Sequence, residues 1–401
     1  MSTDIDYYNS SEFQKNLHEY ENAKKTGAPV FLDSDELTDI AEYYDYLGDI
    51  ENAMAVIELA ICLYPDAIAP PLFKARIALN RESNVGKAEE LCEMVEDISD
   101  LDYILTKAEI MIADNRVIPA YDFLYQQLEN LAEEEHDIYV AEVANLFVDY
   151  GLTEHVSSWL KEANNASLDV FDELKSRILI SNREYDEAER YINKLIDKSP
   201  YNVTFWNYLS KVQFYNSRFE ESLISSEYAL AISPDNDEAL ANKGDALYAL
   251  GRYCEAMSYY KKLSDFMPHE VNWIIEQIKC LTLLGRLDDA EEYARKAIQM
   301  SENPYNNPFI AYWLAGEIQG LKGNTENALL LFDKAVKNGG CQSLDDLYEV
   351  FGFFANGNKD TSCKFLESYT DTNHLINNNS IETGSYHVTD KDDDHEDSPD
   401  K

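Results

Sequence analysis

Basic residues are scarce in this chain. Lysine and arginine number 33 against 76 aspartates and glutamates, and the net charge is −43. Nucleic acid and anionic lipid surfaces are themselves densely negative, so neither is expected as a partner. Glycine and proline are also few, 15 and 11 among 401 residues. With abundant Ala, Leu and Tyr, that shortage favours helix over strand. No apolar run reaches the roughly 18 residues of a membrane-spanning helix, so no membrane association is expected. The opening MSTDIDYYNS carries acids where a secretory signal has a basic stretch and an apolar run, and a cytoplasmic location is expected.

Chemistry-bearing patterns are absent as well. The six cysteines, Cys62, Cys92, Cys254, Cys280, Cys341 and Cys363, include no close pair and read as reduced, mostly packed thiols. None of the seven histidines has metal-ligand spacing from another His or a Cys. No GxSxG, HExxH or Walker-type loop occurs. Acids alternate at Asp390, Asp392 and Asp394, but His395 and Lys401 stand where a calcium loop needs glycine and glutamate. The chain is therefore expected to be no enzyme and to hold no cofactor or metal.

What the sequence does have is a period. Three prolines, Pro200, Pro234 and Pro268, each close a similar segment: EYDEAERYINKLIDKSP, RFEESLISSEYALAISP and RYCEAMSYYKKLSDFMP. The register extends both ways. One small position recurs at Ala41, Ala75, Ala108, Ala144, Ser176, Ser210, Gly244, Ile278 and Gly316. A second recurs at Ala53, Ala88, Ala120, Val156, Ala188, Ser222, Ala256, Ala290 and Ala328. Only Ile278 and Val156 are not Ala, Ser or Gly. Two helices cross closely only where no bulky side chain sits at the crossing, so these positions predict paired helices. Gly48, Asn182, Gly251, Gly285 and Gly323 fall at the turns between them, where a left-handed residue is expected to end the first helix.

The pattern resembles the tetratricopeptide repeat, a unit of about 34 residues. A third small position of that repeat is matched at Ala60, Ala163, Ala229, Ala297 and Ala335, its tryptophan at Trp206 and its closing proline at Pro65. The resemblance implies an all-α, right-handed superhelical solenoid of antiparallel helix pairs, each unit packing only on its neighbours. Nine repeats are expected at 34–67, 68–100, 101–136, 137–168, 169–202, 203–236, 237–270, 271–304 and 309–342. Residues 1–33 are expected to form an N-terminal helical cap, centred on SEFQKNLHEYENAKK. Residues 343–370 read as a degenerate repeat or C-terminal cap. Residues 371–401 read as an acidic tail too polar to order itself, and the extra residues near Asn303–Pro308 as a looser joint.

The resemblance also implies the function class: a scaffold or adaptor that binds a protein or peptide on the concave face. Carried over residue by residue, the positions that meet a partner are Asp35, Glu42, Asp45, Tyr46, Glu109, Asn145, Asp149, Arg177, Asn207, Lys211, Tyr215, Asp245 and Tyr248. The carboxylate-gripping pattern of some family members is expected to be missing, because Glu276 stands where a cation is needed. Residues 1–150 hold 33 acids and 9 bases, and residues 151–350 hold 32 and 20. A basic partner is therefore favoured. The acidity leaves two alternatives open: a chaperone-like holder of basic clients, or a regulatory subunit of a separate enzyme. Most of the 28 tyrosines, Tyr44, Tyr185 and Tyr253 among them, are expected to pack between helices rather than stack on bases.

Overall fold

The computed structural model describes residues 5–128, 131, 135–164, 169–302 and 308–339. The expected C-terminal cap, the acidic tail, most of the looser joint, Cys341 and Cys363 lie outside these residues. Every described element is a helix or its connection. A short α1 (Ile5–Tyr8) and α2 (Ser11–Thr26) precede nine helix pairs. The first helices are α3 (Ser34–Tyr46), α5 (Ala69–Asn80), α7 (Leu101–Ala113), α9 (His136–Asp149), α11 (Asp169–Ser181), α13 (Val203–Tyr215), α15 (Asp237–Ala249), α17 (Val271–Leu283) and α19 (Phe309–Leu321). Their partners are α4 (Ile50–Leu63), α6 (Val85–Cys92), α8 (Val117–Leu128), α10 (Thr153–Trp159), α12 (Tyr185–Lys198), α14 (Phe219–Ile232), α16 (Tyr253–Phe266), α18 (Leu287–Ser301) and α20 (Thr325–Gly339). The fold is an all-α helical solenoid.

Local chemistry sets the helix limits. Asp33 and Glu36 form a reciprocal capping box at the start of α3, and Asp49, Asp100, Asn202 and Asn236 cap α4, α7, α13 and α15. Helices α12, α14 and α16 each stop two residues before Pro200, Pro234 and Pro268, since proline disfavours helical geometry in the residue before it.

At the turn inside each pair one residue is left-handed: Gly48, Ser83, Asn115, Gly151, Arg183, Ser217, Gly251, Gly285 and Gly323. The next amide reaches back to close the helix, as Asp49 does to the Tyr44 carbonyl at 2.7 Å and Glu184 to the Leu179 carbonyl at 2.9 Å. The expectation of a left-handed Asn182 is thereby corrected: Arg183 takes that conformation. The geometry of the helix end fixes which position turns left-handed, and Arg183 accepts a strain of about 1–2 kcal/mol to fill it.

Both sets of small positions are buried throughout, including Ile278 and Val156. The pair α15–α16 shows why. A Cβ on Gly244 would lie 2.6 Å from the Tyr260 ring, and Tyr260 is itself only 1% exposed. Second helices other than α10 pack on the first helices either side of them, while successive first helices also touch one another, from α3 through to α15 and again from α17 to α19. First helices therefore run along the inner line of the array. At the N-terminal end, α2 lies against α3 through Phe13, Leu17 and Tyr20, and Asn16 donates to Glu36 at 3.0 Å.

One contact departs from nearest-neighbour packing. The turn between α3 and α4 rests on the seventh pair and on the joint that follows it. The Tyr46 hydroxyl donates to Asp237 at 3.1 Å, 191 residues away, and its ring stands edge-on to Phe266 at 6.0 Å. The expectation that each unit touches only its neighbours fails here. Helices α3 to α15 accumulate enough rotation to bring the first pair back onto the seventh.

The crossing argument yields a direct test. Gly244→Leu should displace Tyr260 and cost about 1–3 kcal/mol in urea unfolding, as overpacking does. Hydrogen exchange should speed up first in α15, α16 and their immediate neighbours. Uniform acceleration along the array would contradict this account.

Candidate functional site

The residue after each small position in a first helix faces the inner line. Down the array this column reads Glu42, Arg76, Glu109, Asn145, Arg177, Lys211, Asp245, Lys279 and Glu317. Its order follows from the crossing: once the small residue is pinned against the second helix, the next residue points about 100° around the helix, toward the neighbouring first helices.

Most of these side chains lace one first helix to the next, while those of α15 and α17 are held within their own pair or helix. Arg76 lies 3.6 Å from Glu42, and Arg81 reaches Asp45 at 3.0 Å. Tyr150 donates to Glu109 at 3.3 Å. Arg177 donates to Asn145 at 2.5 Å and pairs with Asp149. Tyr208 donates to Glu173 at 2.8 Å, and Lys211 meets Glu238 at 2.5 Å. Tyr260 donates to Asp245 at 2.7 Å, and Lys279 pairs with Glu276 at 2.7 Å. Thus Glu276, set where a cation was required, is itself held by a lysine.

Burial leaves its mark on the four acids of the column. It raises the carboxyl pKa of Glu42 and Glu109, against the nearby charge of Arg76. It raises Glu317 with no opposing group. Asp245 is pushed up to about 6 by burial, against the hydrogen bond from Tyr260. Each is a carboxylate whose negative charge is poorly solvated where it stands.

Of the thirteen residues singled out from the sequence, most fall into this lattice. Glu42, Asp45, Glu109, Asn145, Asp149, Arg177, Lys211 and Asp245 are joined as described. Tyr248 stands edge-on to Tyr253 at 5.4 Å, and Tyr215 stacks on Tyr185 at 5.8 Å while staying 54% exposed. Three stand apart. Asp35 is exposed in the first turn of α3, accepting from the Ser34 hydroxyl at 3.2 Å. Asn207 is 1% exposed, its amide nitrogen held by Asn236 and Glu238 at 3.0 Å each, so it offers little surface. Tyr46 is occupied by Asp237. Sequence reasoning passed over Arg76, Arg81, Tyr150 and Tyr208. Arg76 was findable, since it follows Ala75 as Glu42 follows Ala41.

Among the described residues no group of His, Cys, Asp and Glu is arranged to hold a metal ion, and no helix is long and apolar enough to cross a membrane. Tetratricopeptide repeat family models match residues 174–237 in one case, and residues 37–66 and 237–265 in another. The chain carries tetratricopeptide repeats over those residues. It is similar to a TPR repeat-containing protein of Methanocaldococcus jannaschii, at 25% identity over 191 residues. That match takes in 47% of this chain and 31% of the relative, so the chain spans about a third of the relative's length. A tetratricopeptide repeat protein from Parabacteroides merdae superposes at a TM-score of 0.45, with 14% identity, over 67% of this chain and 98% of that one. MamA from Desulfovibrio magneticus superposes at 0.39, with 14% identity, over 43% and 95%. Repeat proteins of this kind serve in general as protein-interaction scaffolds rather than catalysts.

Within the repeat frame, Asp245 gives a pH prediction. Its folded pKa lies above the ordinary value of 3.8, so the folded state binds the proton more tightly than the unfolded state. The stability gained is fully present below pH 3.8 and is lost as pH rises through about 6. Asp245→Asn should therefore flatten the stability profile across that window, followed by urea midpoints at each pH. A variant profile parallel to that of the parent protein would contradict the burial of Asp245.

Proposed function

We propose that this protein is a scaffold that holds an extended protein or peptide segment along the first-helix face of its repeats. Cationic groups of that segment are read by Glu42, Glu109, Asp245 and Glu317. The observation that carries this reading is the column itself. Four acids stand among Arg76, Arg177, Lys211 and Lys279 at one repeating position, and burial holds every one of those acids above its ordinary pKa. A cation brought beside such a carboxylate restores the interaction that desolvation removed, so partner binding and relief of burial are coupled. Extended backbone suits the site, because the column offers one polar side chain per repeat, charged in all but Asn145.

The net charge of −43 favours a second reading, a holder of basic clients through its overall field. The two differ in where the charge must sit. In fluorescence anisotropy with a short, unstructured lysine-rich peptide, neutralising the column (Glu42→Gln, Glu109→Gln, Asp245→Asn and Glu317→Gln together) should weaken binding by at least about tenfold, or roughly 1.4 kcal/mol. Neutralising four exposed carboxylates elsewhere (Glu51, Glu220, Glu221 and Glu326 to Gln) removes the same charge and should change little. Equal losses would favour the field. Loss of all binding near 0.15 M salt, where the screening length is about 8 Å, would do the same.

A further inference from the structure

The contact between the first repeat and the seventh has no part in the groove as a linear site. We infer that it is a latch, which closes repeats one to seven into a ring and must part before a segment enters the groove from the side. The inference rests on the groove reading above, whose occupant the latch would admit.

Four observations converge on the latch. The Tyr46 hydroxyl donates to Asp237 at the start of α15, and the Tyr46 ring meets Phe266 at the end of α16. His269 Nε2 lies 3.6 Å from Asp49, the residue that caps α4. The backbones themselves touch: a Cβ on Gly48 would stand 2.8 Å from the amide nitrogen of Glu270 and from the carbonyl carbon of His269. Tyr8 of α1 lies 5.8 Å from Tyr46 and 5.2 Å from Tyr43, so the N-terminal helix backs the same aromatic cluster.

The latch is built unlike the joints along the array. Neighbouring repeats are sealed by wholly buried side chains such as Ile57, Val143, Ile192 and Leu263. The turn contributes Tyr46 and Leu47, both only half-buried, while Phe266 is 42% exposed and the His269 side chain 55%. Its Tyr46–Asp237 hydrogen bond is only part-buried, and its His–carboxylate contact has the His269 side chain 55% exposed, where such contacts contribute little. Closing the ring therefore adds a weak contact between segments already held by strong ones, and a weak contact of that kind opens first.

The repeats supply their own control. Gly48 and Gly251 occupy the same place in their turns, with φ of 77° and 74°, but nothing lies within 4 Å of a Cβ on Gly251. Asparagine tolerates the left-handed conformation, so Gly48→Asn and Gly251→Asn carry the same backbone cost. Only the first drives a side chain into the latch. The full-length chain is compared by spin-label distance between positions 51 and 265, after the exposed Cys62 and Cys254, together with Cys341 and Cys363, are changed to serine. The lysine-rich peptide is then used as probe. Gly48→Asn should lengthen the distance and speed peptide association about tenfold, because a larger fraction of molecules is open. Gly251→Asn should match the parent in both. An unchanged distance in Gly48→Asn would overturn the latch, and so would a longer distance with unchanged association. Peptide binding absent from all three proteins would overturn the groove reading, and with it the gating role.

Discussion

The close crossing of two helices at a small residue is the constraint from which the rest of this structure follows. Where Gly244 admits the Tyr260 ring, the two helices of the repeat are fixed in depth and in rotation. Rotation decides what comes next, because the residue after the small one is turned to the inner line. The charged column is thus a consequence of the packing. The same repeated crossing, with its small rotation from pair to pair, also curls the array until Tyr46 meets Asp237. Core packing, groove chemistry and ring closure share one geometric cause.

Charge divides along the same geometry. The chain as a whole is strongly acidic, yet the inner column mixes four acids with four bases and satisfies much of its charge across repeat boundaries. Arg177, for instance, joins Asn145 and Asp149 of the preceding repeat. Much of the acid excess therefore lies off the column, on exposed positions such as Glu51, Glu220 and Glu326, where it is solvated. Inside the groove, what matters is burial. Glu317 is raised by burial with no opposing group, and on the proposed reading a partner's lysine or arginine would gain more there than at a solvated carboxylate.

Much of the fold could be read from the sequence, because close packing leaves a periodic trace. Ala41 and Ala53 are both fully buried, and their counterparts repeat down the chain. Helix type and the pairing of helices follow from that trace alone. The groove was legible in part. Glu42, Arg177 and Asp245 were found through the resemblance, but Arg76 was missed, although the rule that selects Glu42 selects it too. Asn207 could not be judged from its position, since its burial depends on Asn236 and Glu238 in the next repeat. The closing contact was illegible for a deeper reason. It depends on rotation summed over seven helix pairs, and no residue spacing encodes that sum. Arg183 makes a smaller case: the helix end selects the left-handed position, and composition pointed one residue too early.

Hydroxyl-radical footprinting of the tyrosines, with and without a bound lysine-rich peptide, tests the groove most directly. Tyr215 and Tyr248 lie on first helices, whereas Tyr228 lies on a second helix and Tyr201 on a connection, 53% and 84% exposed. The account predicts that binding protects Tyr215 and Tyr248 and leaves Tyr201 and Tyr228 as reactive as before. Protection of Tyr201 and Tyr228, with Tyr215 and Tyr248 unchanged, would place the partner on the other face and contradict it.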